Sequence, residues 1–259
     1  MRILSGIQYL VSGILFYYLC EMKTPDFKEL IIFENDDYIL VNKPPFISTL
    51  DERTNAPNIK NMAKKYWEDA QVCHRLDKET SGVLAIAKNP DSYRNLSIQF
   101  EDRLVTKIYH AVVEGVQDFE DVNVYLPIYA QNNGIVKIDR EKGKIAETFF
   151  KTIKAYKKYT LLKCMPVTGR MHQIRIHLAC LKAPIVCDET YGGKMIYLSE
   201  LKKKGFNLKH DTEEQPLIKR VALHAYSLKF RLMDGEEKEV IAPYPKDFDV
   251  LVKQLEKNS

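Results

Sequence analysis

The sequence predicts an α+β fold, a mixed and largely antiparallel sheet with helices packed around it. Three observations lead there. Short apolar runs bounded by turn-forming residues outnumber segments with helical periodicity. The 259 residues, 45% of them hydrophobic, suffice for a sizeable core. Neither an internal repeat nor a low-complexity stretch divides the chain.

The first segment, Ile3 to Cys20, is eighteen uncharged and mostly apolar residues behind a single Arg. A signal or anchor is weakened by Ser5, Gly6, Gln8, Ser12 and Gly13 and by the lack of a clean small-residue cleavage site. A helix packed on the domain is a second reading. The preferred third reading starts translation at Met22, so that residues 1–21 form an apolar extension and 22–259 the functional domain.

Leu30 to Phe33 and Tyr38 to Val41 read as paired strands joined at Glu34-Asn35-Asp36-Asp37, and Lys43-Pro44-Pro45 ends the second. Val83 to Ala87 is a short buried strand. Asn89-Pro90 then supplies a cap and a first-turn proline for a helix to about Arg103. Strand character continues at Lys107 to Val113, Ala146 to Tyr156 and Thr160 to Val167. Arg170 to Lys182 reads as a helix closed off by Pro184, with Met171, Ile174, Leu178 and Leu181 on one stripe. Val221 to Leu232 and Glu239 to Ala242 are strands, and a polar helix follows Pro245.

Composition alone chooses no function. The formal charge of +4 and pI near 8.6 suit an anionic partner but are common elsewhere. Basic residues group at Lys142 and Lys144, at Lys157 and Lys158, and at Lys202 to Lys204 with Lys209, Lys219 and Arg220. Solvated faces and phosphate contacts are equal readings of each group. Five cysteines, Cys20, Cys73, Cys164, Cys180 and Cys187, make no CxxC pair, which fits buried free thiols in a reducing cytoplasm. His172 and His177, five apart on a helix, diverge by roughly 140 degrees. No metal site is expected.

The most informative run is His74-Arg75-Leu76-Asp77-Lys78-Glu79-Thr80-Ser81-Gly82, a loop feeding the Val83 strand. It can present the Asp77 carboxylate at a cleft floor, although an Asp before Thr-Ser-Gly is commonly a turn former. Arg175, at the border of the apolar helix stripe, needs an acidic partner. A bidentate pair with one Asp would orient that Asp and keep it ionised, yet any of the 35 acids could serve. Strand alternation sends Lys107 and Tyr109 to one side, where a Tyr is more often core packing than catalyst.

Taken in order, these segments resemble the motif set of the RluA-type pseudouridine synthases, over roughly Leu30 to Pro245. Further matches are Leu40 to Pro45, Pro184 to Asp188 with Tyr191-Gly192, and Leu223-His224-Ala225. The resemblance implies a catalytic fold with a central RNA-binding cleft. It also implies uridine isomerisation with Asp77 as the catalytic carboxylate, Tyr109 stacking on the base or accepting its proton, and Arg175 pairing with Asp77. It extends substrate contact to His74, Arg75, Lys107, Arg170, His172, Gln173 and Leu223, with Arg75 filling the space of a flipped base. Lys194 to Arg220 reads either as a mobile rim over the RNA or as a solvated loop. No cofactor, metal or membrane partner is implied; the partner is ribosomal or transfer RNA, and a cytoplasmic monomer is expected.

Departures are Met171 where Thr or Ser is usual, Phe46 to Thr49 in place of a glycine-containing continuation, and the lack of a small RNA-binding domain ahead of the first strand. Two alternatives stay open. One is a non-catalytic RNA-binding protein, against which the intact Asp77, Tyr109 and Arg175 argue. The other is a glycoside or nucleoside hydrolase, which would employ a second carboxylate near Asp77.

Overall fold

The computed structural model describes residues 24–52, 56–202, 206–208 and 213–259. The apolar segment 1–21, Cys20, Lys203, Lys204, Gly205 and Lys209 lie outside the described residues.

A four-residue helix α1 (Phe27–Leu30) leads into β1 (Ile31–Glu34) and β2 (Tyr38–Lys43), turned as expected over residues 35–37. Helix α2 (Ile59–Tyr66), β3 (Gln71–Val72) and β4 (Ser81–Ala87) follow, then α3 (Pro90–Glu101). Asn89 caps α3 in a reciprocal pair with Ser92. Strands β5 (Thr106–Glu114), β6 (Val122–Ala130), β7 (Val136–Ile138), β8 (Lys144–Ala155) and β9 (Tyr159–Pro166) form one half of the sheet. Helices α4 (Gln173–Cys180) and α5 (Leu198–Leu201), strands β10 (Leu223–Arg231) and β11 (Glu237–Ile241), and helix α6 (Lys246–Lys257) complete the chain.

The eleven strands among the described residues belong to one sheet, in the order β1-β2-β4-β10-β5-β9-β8-β6-β7, with β3 against β4 and β11 against β10. Every pairing is antiparallel except β4 with β10, where Ser81 faces His224 and Gly82 faces Ala225. Two strands that run the same way bring their starts together. The Asp77 loop before β4 therefore meets residues 220–222 before β10.

The burial of all seven residues of β4 follows from cover on both faces. Leu84 and Ile86 pack with Ile59 and Ala63 of α2, and Val83, Ala85 and Ala87 with Leu96 of α3. The largest cluster joins β5, β8 and β9 to Ile174 and Leu178 of α4 and to Phe248, Leu251 and Leu255 of α6.

Several sequence expectations need correction. The arginine helix begins at Gln173, three residues later than predicted, because His172 adopts a left-handed backbone (φ 51°). Met171 thus leaves the Ile174/Leu178 stripe and packs with Ile128, Val136 and Ala146. The far end stops at Cys180, and Lys182, also left-handed (φ 58°), turns the chain toward Pro184. Cys180 is exposed, unlike buried Cys164 and Cys187. The Lys194 to Arg220 stretch is neither rim nor solvated loop at its ends, since Ile196, Ile218 and Arg220 are all buried. Among the described residues no helix is long and apolar enough to cross a membrane.

Gly82 is required by close approach. Its φ is +119°, and a Cβ there would stand 2.1 Å from the Ala225 carbonyl oxygen. Gly82→Ala is expected to push β4 off β10 and cost about 3 kcal/mol or more, lowering Tm by roughly 5–10 °C. Thermal unfolding of the variant checks this; an unchanged Tm would contradict the tight β4–β10 contact.

Candidate active site

The loop between β3 and β4 is held by buried polar groups on three sides. Thr49 donates its hydroxyl to the Leu76 carbonyl (2.9 Å) and accepts the Leu76 N–H (3.1 Å). Lys43, fully buried, donates Nζ to the carbonyls of Pro44, Ile47 and Lys78 at 2.9–3.1 Å. Burial, reinforced by the Arg220 charge, pushes this amine down to about 7. Arg220, 1% exposed, donates Nη1 to the carbonyls of Glu79 (3.0 Å) and Leu223 (3.2 Å) and Nη2 to Ser81 Oγ. Its fork closes on Asp247 of α6 at 2.7 and 3.0 Å. Arg220 is thus a buried strut, and neither a phosphate contact nor a solvated charge.

Asp77 projects from this clamped loop into a cavity of about 390 Å³. Tyr109 and Arg175 line the same cavity, as do Arg75, Lys107, Arg170, His172, Gln173 and Leu223. Lys107 and Tyr109 share a face of β5, as alternation predicts, while His110 faces away toward Tyr244 and Tyr226. Leu223 pairs with Ala111 on β5, so it shares Tyr109's face of the sheet. A second cavity of about 320 Å³ shares Asp77, Thr80, His172 and Arg175. Lys144, Arg75 and Arg170 are exposed at the rim of the first.

His74 stands apart. It lies outside both cavities, accepts the Ala85 N–H at Nε2 (3.0 Å) and packs against Phe100 at 5.0 Å. Burial, with the Lys107 charge, pushes its imidazole down to about 3, so it is neutral. His74 thus packs the loop, which corrects the expectation of substrate contact. Gln173 lines the cavity but its amide is committed. It accepts from Thr168 Oγ1 (2.7 Å) and the Arg170 N–H (2.9 Å), and donates to the Glu147 carbonyl and Thr148 Oγ1. Its work is to shape the 168–170 turn.

Arg175 makes its bidentate pair with Asp188, Nε to Oδ2 and Nη2 to Oδ1, both at 2.7 Å. The remaining nitrogen, Nη1, stands 3.8 Å from Asp77 Oδ2. The arginine therefore faces Asp77 with one edge and spends its fork elsewhere, which corrects the expectation of a fork on the catalytic carboxylate. Asp188 is nearer in the chain and 1% exposed, and a buried carboxylate demands the fuller pairing. Burial lowers the Arg175 pKa, but the hydrogen bonds and charge of Asp188, with Asp77, leave it raised overall, so the cation persists. His172 Nε2 lies 3.9 Å from the same Asp77 oxygen.

Tyr109 is pushed above its ordinary value by burial first and by Asp77 second, so it is a neutral phenol. Lys107, whose Nζ donates to the Val167 carbonyl at 3.1 Å, is lowered by burial and Arg103 to about 8. Asp77 is the only acid among the described residues lining the 390 Å³ cavity. Sequence reasoning missed Lys43, Arg220 and Asp188 as parts of the site. The signal was available in Lys43, a lone cation closing the apolar run from Tyr38.

Residues 37–180 match the profile of the family described as RNA pseudouridylate synthase. The chain is 36% identical over 229 residues to the ribosomal large subunit pseudouridine synthase C of Buchnera aphidicola, covering 86% of this chain and 68% of that one. It is 33% identical over 210 residues to the dual-specificity RNA pseudouridine synthase RluA of Vibrio parahaemolyticus, covering 77% and 76%. The solved structure of human RNA pseudouridylate synthase domain containing 4 aligns with a TM-score of 0.69 at 23% identity, over 89% of this chain and 95% of that one, a likeness of fold.

Asp188→Asn deprives a buried guanidinium of its full partner. A loss of about 3–5 kcal/mol is expected, with Arg175 drawn toward Asp77. Denaturant unfolding measures the loss; a variant as stable as wild type would show that the pair carries no net weight.

Proposed function

This chain belongs to the RNA pseudouridylate synthase family, and we propose that Asp77 is the residue on which its isomerisation of uridine in RNA turns. It is an isomerase. The observation that carries the assignment is the convergence of Asp77, Tyr109, Arg175 and Leu223 on one cavity in which Asp77 is the only acid among the described lining residues. A hydrolase with two working carboxylates gains no support from that lining, and of the acids in the adjoining cavity Asp188 is bound to Arg175 and Glu79 accepts the Val221 N–H.

The reaction needs few groups. The bond from uracil N1 to the sugar's anomeric carbon breaks, the base turns, and C5 bonds to the same carbon. C5 loses its proton and N1 gains one, so no redox partner enters. The Asp77 carboxylate assists by covalent attack or by taking a proton while a glycal forms. Tyr109 and Leu223 hold the base in an apolar slot. Because Tyr109 begins as a neutral phenol, it can take the C5 proton only as its own proton moves on. Tyr109→Phe separates stacking from proton transfer, because only the latter needs the hydroxyl.

The scissile bond lies inside a polynucleotide, so the nucleotide must leave its stack to reach Asp77. Exposed Arg75, Lys144 and Arg170 at the rim supply charge for the flanking phosphates. The ribosomal name of the Buchnera relative supports large-subunit ribosomal RNA as the substrate. An RNA substrate suits a cytoplasmic monomer, with 22–259 as the catalytic domain.

Asp77→Asn is expected to fold and bind RNA normally while losing at least about a thousandfold in tritium release from RNA labelled at uridine C5. Wild-type release by that variant would overturn the assignment. A second expectation concerns pH. Lys107 is charged below about 8 and neutral above, so RNA affinity should fall as pH rises through that value. Binding at fixed salt tests this, and the step should vanish in Lys107→Met.

A further inference from the structure

Both groups that face Asp77 face the same oxygen. His172 Nε2 is 3.9 Å and Arg175 Nη1 3.8 Å from Oδ2. Behind them lies one short turn, Asp188 to Gly192, whose 3₁₀ segment spans Glu189–Tyr191. Asp188 grips the Arg175 fork. Tyr191 Oη lies 2.9 Å from His172 Nδ1 and accepts the Val136 N–H at 3.0 Å. The Arg175 guanidinium carbon sits 5.1 Å from the Tyr191 ring centre, and the His172 ring meets that ring edge-on at 5.7 Å.

A phenol has one proton to give. With Val136 donating to its lone pair, the Tyr191 proton is directed to Nδ1. The opposite arrangement, Nδ1–H donating to Tyr191, would turn the bare Nε2 lone pair toward a carboxylate and repel it. We infer that Tyr191 is a positioning residue that fixes His172 as the Nε2–H tautomer, so that His172 and Arg175 both turn an N–H toward Asp77 Oδ2 and leave Oδ1 free to act on the target nucleotide. This rests on Asp77 as the reacting carboxylate.

The arrangement is braced from every side. The His172 backbone is left-handed and sits between the Gln173-locked turn and α4. A Cβ at Gly193 would stand 1.9 Å from the Ile185 carbonyl oxygen, so the turn carrying Tyr191 is packed to contact. Tyr191 also packs on the Ile128, Val136 and Ala146 cluster, which joins the β6–β7 hairpin to the site. The charged groups around His172 are Asp77 and Arg75 from the β3–β4 loop, Arg175 from α4 and Asp188 from the turn. Burial, with Arg175 and Arg75, outweighs the two acids and keeps the imidazole neutral at pH 7, so which nitrogen bears its single proton matters.

Long-range ¹H–¹⁵N correlation spectra of the full-length protein read that nitrogen directly. The wild type and Asp77→Asn should both show the Nε2–H pattern for His172. In Tyr191→Phe, Nδ1 has lost its donor and Asp77 favours an imidazolium, so His172 should mix tautomers and titrate at higher pH. The acid limb of the tritium-release rate should move upward with it. A pair of substitutions separates positioning from packing. His172→Gln keeps a donor near the Nε2 position, whereas His172→Asn keeps only the Nδ1 end. His172→Asn should lose roughly a hundredfold in turnover and His172→Gln should recover most of it. A purely structural role predicts the reverse, because Asn tolerates a left-handed backbone better than Gln. The inference is overturned by an Nδ1–H tautomer in the wild type, by His172→Asn outperforming His172→Gln, or by unchanged His172 signals in Tyr191→Phe. None of these depends on the Asp77→Asn rate, so a failed tautomer assignment and a failed Asp77 assignment are told apart.

Discussion

The Asp77 loop is a piece of backbone whose carbonyls are spoken for by buried basic side chains and a threonine hydroxyl. Lys43 takes the Lys78 carbonyl, Arg220 the Glu79 carbonyl, and Thr49 both polar atoms of the Leu76 backbone. A buried ammonium or guanidinium is costly unless its donors are satisfied, and here the loop supplies the acceptors. Cation and loop therefore fix each other. The parallel β4–β10 pairing makes this possible, because it sets the loop beside the residues leading into β10. Asp77 is consequently carried on a rigid support although it lies in a loop.

A second constraint is the division of labour between two aspartates. Asp188 is buried and takes the full Arg175 fork, whereas Asp77 receives one edge of the guanidinium at longer range. The cation is held in place by the buried carboxylate. Asp77 thus keeps a nearby positive charge without being tied up by hydrogen bonds, which suits the reacting role proposed for it. The same economy recurs at Gln173, whose amide shapes the turn carrying Arg170 and leaves the cleft to other side chains.

Much of the framework was legible in residue patterns. The strands around Glu34 to Asp37, the buried run from Val83 to Ala87 and the Asn89-Pro90 cap all stand where local rules put them, because their signals are local. Six elements were missed, α1, α2, β3, β6, β7 and α5. Helix α2 is short and lysine-rich, with only Ile59 and Ala63 buried, so its periodicity is thin. Strand β6 contains Pro127, which argues against a strand, yet the hairpin with β7 turns at Asn132-Asn133-Gly134, a signal that outweighed the proline.

By itself the sequence determined the α+β class, the family's motif set and the candidate residues for the chemistry proposed, since residue type and order are properties of the chain. Only the tertiary structure decided who pairs with whom. That the Arg175 fork belongs to Asp188, that Arg220 is a strut rather than an RNA contact, and that His74 serves Ala85 follow from which groups end up buried together. The physical reason is desolvation. A charge removed from water must be satisfied by whatever the fold brings within about 3 Å, and that is set by sheet order and burial, which sequence spacing does not encode.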